Sequence, residues 1–128
     1  MPVARRLVVI GSLFALLSVA IGAFGAHAVK ARLDATGMRT VFETGVQYQM
    51  FHSIGILILA SLADRVVPGK KLLHAAMLFS VGIVLFSGSL YALALSGIKI
   101  FGAITPLGGV CYMIGWVLVA LAAAKGDA

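Results

Sequence analysis

The side chains able to do chemistry in this 128-residue chain are few, and most of them fall together. Tyr48, Gln49 and His52 lie within five consecutive residues, and Ser87 and Tyr91 stand four apart further along. A histidine next to a phenol and a carboxamide can move a proton, hold a polar ligand, or hydrogen-bond a neighbouring helix. At about 100° per residue, Gly45, Tyr48, Gln49, His52 and Gly55 share one helical face, opposite Met50, Ile54, Leu57 and Ile58. Such segregation predicts a polar face turned inward. Ser80, Ser87 and Tyr91 form a similar stripe, and the two stripes are expected to meet and exchange hydrogen bonds.

A second polar group, His27, Glu43 and Gln47, is expected nearer a membrane surface. Thr40 and Glu43 have the spacing of a capping box, in which a hydroxyl and a carboxylate satisfy free N–H groups at a helix start. That role accounts for Glu43 without invoking catalysis. His27, at the end of the first apolar run, is close enough in depth to contact Glu43 or Gln47. No metal centre is expected, because His27, His52, His74 and Cys111 are spread over separate segments. Gly-x-Ser-x-Gly, His-Glu-x-x-His and P-loop patterns are absent, so no catalytic residue is assigned and no cofactor is expected.

The elements that must position these groups follow from composition. Apolar residues make up 62% of the chain and charged residues 11%, with a mean hydropathy of +1.11. Soluble domains are about half apolar and about one-quarter charged, and a 13.3 kDa protein has too small an interior to hide the excess. The chain therefore reads as a single all-α membrane domain, an up-down bundle of four transmembrane helices. A span needs about 20 apolar residues. Four segments satisfy this, at about 7–27, 42–63, 72–96 and 105–124. The second qualifies only by carrying Gln47, Tyr48, Gln49 and His52 below headgroup depth. The connections are short, so consecutive helices should run antiparallel. The early part of the first connection is expected to continue helix one or to lie in the interface.

Arg5-Arg6, an apolar run and Ala26-His27-Ala28 resemble a secretory signal, but the run is long enough to span and reads as a retained first helix. Thr105-Pro106 fits a helix start and Ser96-Gly97 a helix stop. Small residues at four-residue spacing mark faces for close packing: Ser18, Gly22 and Ala26; Gly88, Ala92 and Ser96; Cys111 and Gly115, with Gly108 beside them. The Ser87-Gly88-Ser89 stretch reads as packing with hydroxyls bonded back along their own helix. Tyr112 and Trp116 fit either core or lipid-facing positions.

The net charge of +6 does not indicate nucleic-acid binding, because the basic residues flank the apolar runs. Six of them (Arg5, Arg6, Arg65, Lys70, Lys71, Lys125) fall on the side of the termini and four (Lys30, Arg32, Arg39, Lys99) on the other. The excess favours cytoplasmic termini.

Four ordered motifs carry a resemblance: Gly22-Ala-Phe-Gly-Ala-His27, Phe42-Glu-Thr-Gly-Val-Gln-Tyr-Gln-Met-Phe-His52, Leu85-Phe-Ser-Gly-Ser-Leu-Tyr91 and Gly102-Ala-Ile-Thr-Pro-Leu-Gly-Gly109. Over nearly the whole chain they resemble the YgdD/YwdK-like family of small bacterial inner-membrane proteins. The resemblance implies four membrane helices and a bacterial plasma-membrane location, and implies no activity.

The expected function is that of a non-enzymatic membrane protein acting through helix packing, as a homo-oligomer or as an accessory subunit of a larger membrane complex. The expected surroundings are the lipid bilayer. A self-associating permease or proton-coupled carrier, and a lipid- or quinone-contacting protein, are the alternatives.

Overall fold

The computed structural model describes residues 2–125, and its order follows from four long apolar helices. These are α1 (Val3–Ala26), α3 (Arg39–Leu62), α4 (Gly69–Ser96) and α5 (Phe101–Lys125), with a short helix α2 (Lys30–Thr36) between the first two. All four long helices are apolar enough to cross a membrane, and the protein is an all-helical membrane protein. Each begins three or four residues before the expected hydrocarbon boundary. A helix continues into the headgroup layer because its backbone bonds are already satisfied internally.

α3 lies at the centre of the packing. Of its most apolar stretch 44% is buried, against 17% for α1, so polar groups on α3 can be shielded from lipid and those on α1 largely cannot. At one end Leu7, Ile56, Leu59, Leu72 and Phe79 form the core; at the other Leu33, Phe42 and Ala94 do so. Leu33 anchors α2 in that second core, so α2 is a separate element and not a continuation of α1.

The connections are shaped by local chemistry. Gly37 and Gly97 adopt left-handed φ values of 73° and end α2 and α4, a conformation that glycine enters without a Cβ penalty. Ser96-Gly97 thus stops a helix. Asp64, with a φ of 60°, accepts a hydrogen bond from the Gly69 N–H at 2.8 Å and caps the start of α4.

Two expected helix starts are corrected. α3 begins at Arg39 after Met38 and has no side-chain cap, so Thr40 and Glu43 do not form a capping box; Thr40 is already helical and its carbonyl accepts from the Thr44 hydroxyl. α5 begins at Phe101, which places Pro106 inside the helix. Thr105 uses its hydroxyl on Ser89 of α4, at 2.6 Å, in place of capping.

The packing faces also differ from expectation. α1 buries Leu7, Gly11, Ser18 and Gly25, while Ala26 is exposed. A methyl group added to Gly25 would lie 2.2 Å from the Phe42 ring, so the two helices touch through the missing side chain. On α5 the buried line is Gly108, Tyr112, Gly115 and Ala122, with Cys111 only partly covered. On α4 a π-helical turn spans Ile83–Ser87. Its wider turn rotates everything beyond it relative to a continuous α-helix. Gly82 therefore packs on Tyr112, whereas a Cβ on Gly88 would meet nothing within 4 Å.

Candidate functional site

His52 sits where α3, α4 and α5 converge and is 6% exposed. Its Nδ1 lies 2.9 Å from the Tyr48 carbonyl oxygen, one helical turn back. Its Nε2 lies 3.0 Å from the indole Nε1 of Trp116. A carbonyl only accepts and an indole N–H only donates. The partners therefore assign the hydrogen to Nδ1 and leave Nε2 as the acceptor. The Tyr112 ring stacks on the imidazole with centroids 3.5 Å apart and planes 9° from parallel, and Phe79 meets it edge-on at 5.1 Å.

Gln49, 3% exposed, ties three helices together. Its Nε2 donates to the Phe14 carbonyl of α1 at 2.9 Å, and its Oε1 accepts from the Tyr91 hydroxyl of α4 at 2.7 Å. Ser87 donates to the Gly45 carbonyl at 2.6 Å, and Ser18 of α1 donates to the Val46 carbonyl at 3.1 Å. α3 is thus hydrogen-bonded to each of its three long neighbours. Glycine at position 45 makes room for this, since an added Cβ would lie 2.7 Å from the Tyr91 ring.

The two expected stripes therefore meet, with particular exceptions. Tyr48 is not in the interior. It is 38% exposed and lies across Phe86 at the outer surface, 4.7 Å between centroids. Its phenol can stay near the periphery, whereas the carboxamide of Gln49 has no such reach. Ser80 bonds back to the Ala76 carbonyl, because the π turn separates its face from that of Ser87. Ser87 in turn is not bonded along its own helix, whereas Ser89 is, to the Phe86 carbonyl.

Trp116 and Tyr112 are the members of this cluster that sequence reasoning missed. Their four-residue spacing on α5 was the available signal, since it places both rings on one side. The Tyr112 hydroxyl is buried, with no hydrogen-bond partner among the described residues.

The interface-level residues are arranged differently. His27, Glu43 and Gln47 are exposed, and no hydrogen bond or ion pair joins His27 to the other two. Glu43 and Gln47 border a cleft of about 280 Å³ at the junction of α1, α2 and α3. Beside it Arg39 forms a two-point ion pair with Asp34, Nε to Oδ1 at 2.5 Å and Nη2 to Oδ2 at 2.6 Å. That hydrogen-bonded pairing, helped by the charges of Arg39 and Lys30, holds the Asp34 carboxyl below the usual range. Among the described residues no group of three His, Cys, Asp or Glu side chains gathers as a metal site would require.

Fold and site together define a small membrane protein with four candidate spans, whose central helix is tied to its neighbours by Gln49, by hydroxyl bonds and by a histidine–aromatic cluster. Residues 21–109 match the family described as "Protein of unknown function (DUF423)", and the chain belongs to that family. It is similar to the UPF0382 membrane protein YwdK of Bacillus subtilis, with 45% identity covering 92% of this chain and 95% of that protein. It is also similar to the UPF0382 inner membrane protein YgdD of Escherichia coli, with 36% identity covering 94% and 91%. The Staphylococcus epidermidis relative SERP0230 shows 40% identity over 92% of this chain and 94% of its own length. No solved structure matches the chain.

Proposed function

We propose that this protein is non-enzymatic and acts through lateral helix packing in the membrane, as a homo-oligomer or as an accessory subunit of a larger complex. The observation that carries the reading is the stripe of Gly88, Ala92 and Ser96 on α4, the first two half-buried and the last exposed. Gly88 has no atom of the protein near the position of a Cβ, and Ser96 is exposed. Small residues at four-residue intervals let a second backbone approach closely, which is how membrane helices associate without a hydrophobic drive between them. The stripe begins just beyond the π turn, where the Cβ position of Gly88 is open.

The central cluster supports the same reading. Gln49, His52, Ser87 and Tyr91 all have their polar atoms engaged in bonds that fix helix register. A proton-coupled carrier formed by self-association would need His52 to release one of its two partners. That rival is tested by solute and proton flux into proteoliposomes with wild type and His52→Ala. Wild-type flux above empty vesicles that is lost in the variant would establish the carrier and displace the packing reading.

Cross-linking in native membranes before extraction, followed by sizing in mild detergent, tests the packing reading. The wild-type protein should migrate as an oligomer or with a partner. Gly88→Leu should release the monomer without lowering its thermal stability, because the Cβ position there is open within the protomer. A wild-type protein that is monomeric throughout and captures no partner would overturn the proposal. The same reading places both termini in the cytoplasm, on the strength of six basic residues at that side against four. Labelling of Lys70→Cys and Lys99→Cys, each in a Cys111→Ala background, from outside intact cells tests this, with the cysteine at position 99 expected to react.

A further inference from the structure

The cleft between α1, α2 and α3 differs chemically from the other hollows of the surface. It opens where α1 ends and α3 begins, at one end of these two candidate spans. Its mouth holds two cations, Lys30 and Arg39, and one carboxylate, Glu43, with the Gln47 amide beside it. Arg39 engages Asp34 through Nε and Nη2, which leaves its Nη1 hydrogens pointing elsewhere. Lys30 and Glu43 make no ion pair among the described residues. Deeper in, the wall is apolar: Gly22 and Ala26 of α1 and Val46 of α3 keep exposed surface there, while the Phe42 ring fills the space beside Gly25.

A soluble anion would need only the cations. A site that offers cations, a separate carboxylate and a hydrocarbon wall running toward the membrane interior matches a ligand carrying all three complements. We propose that this cleft binds a phospholipid with a primary-amine headgroup, its phosphate at Lys30 and Arg39, its ammonium at Glu43, and an acyl chain along Gly22, Ala26 and Val46. Charge-assisted hydrogen bonds to phosphate and ammonium give the selectivity. The chain segment beside Gly22 and Ala26 gives retention, because it is covered by protein on one side and remains in hydrocarbon on the other. A quaternary ammonium headgroup cannot donate to Glu43, and a glycerol headgroup carries no positive charge for it.

The experiment uses the full chain, stripped of lipid in detergent and titrated with phosphatidylethanolamine, phosphatidylcholine or phosphatidylglycerol of identical chains. Native mass spectrometry reads the population carrying one lipid. Phosphatidylethanolamine should be retained about tenfold better than either other lipid, the scale of one charge-assisted bond. Glu43→Gln should remove the preference over phosphatidylcholine, and Lys30→Gln should weaken retention of all three. Both residues are exposed, so the variants are expected to keep the wild-type Tm; Ala26→Leu, which narrows the cleft from an exposed position, serves as an independent block and should also lose the lipid. Equal retention of the three lipids, preference for phosphatidylglycerol, or an unchanged preference in Glu43→Gln would overturn the assignment. Competition by glycerophosphoethanolamine as effective as that by the intact lipid would show a soluble phosphoamine site and overturn it as well.

Discussion

The indole N–H of Trp116 donates to Nε2 of His52 across the α3–α5 boundary at 3.0 Å, while Tyr112, one turn earlier on α5, stacks on the same imidazole. One helix thus contributes both a directional bond and a flat contact to a single side chain of another. The pair fixes rotation and depth of α5 against α3 together, which a purely apolar contact between smooth helices does not.

Trp116→Phe should therefore cost about 0.6–2 kcal/mol, the range for one interhelical bond in a membrane. It retains an aromatic ring against Phe79 but removes the indole donor to Nε2. The loss should appear as a lower Tm in detergent, and His52→Leu in the Trp116→Phe background should add less than it does alone, because the shared bond is already gone. Fully additive effects would show that the bond contributes nothing.

At the other end of the bundle, Gly25→Leu should destabilise the protein by about 1–3 kcal/mol or separate α1 from α3, since the new side chain meets the Phe42 ring. Ala26→Leu, one position on and exposed, should leave Tm unchanged. Comparing the two by thermal melting in detergent checks that the α1 contact line runs through Gly25.

Asp64→Ala should cost about 0.5–2 kcal/mol by leaving the Gly69 N–H without its acceptor. Asp64→Asn should stay close to wild type, because asparagine supplies an acceptor and tolerates a left-handed φ. Equal Tm values for the alanine and asparagine variants would show that the cap does not contribute.

The Asp34–Arg39 pair adds a pH dependence confined to the α2–α3 turn. The folded-state pKa of Asp34 lies below its unfolded value, chiefly through the hydrogen bonds from Arg39. Its contribution is therefore complete above the unfolded pKa and is lost as pH falls through the folded one. Amide exchange in α2, normalised for intrinsic rates, should increase toward acid pH. In Asp34→Asn the same amides should already exchange at the faster level at neutral pH, with no further acid-side change. Because the pair is exposed, the global Tm should move little.

Much of the architecture could be read from the chain. Four spans, their order and the inward placement of Gln49 and His52 follow from the length and polarity of segments. In a bilayer a segment of sufficient apolar length must cross as a helix, and its polar side chains must turn toward other protein. Those are properties of each segment taken separately. The Ser96-Gly97 stop is local for the same reason, since only the glycine conformation is required.

What the segments could not reveal alone depends on relative rotation. The π turn at Ile83–Ser87 precedes the open Cβ position of Gly88 and divides Ser80 from Ser87, and it arises from how α4 fits both α3 and α5. Trp116 became the donor to His52, Tyr48 moved to the periphery, and Gly25 replaced Ala26 in the α1 contact because each helix settles where its side chains interlock. Hydrophobic length places a helix in the membrane, but lipid contacts every face of it nearly equally; only neighbouring helices distinguish one face from the next.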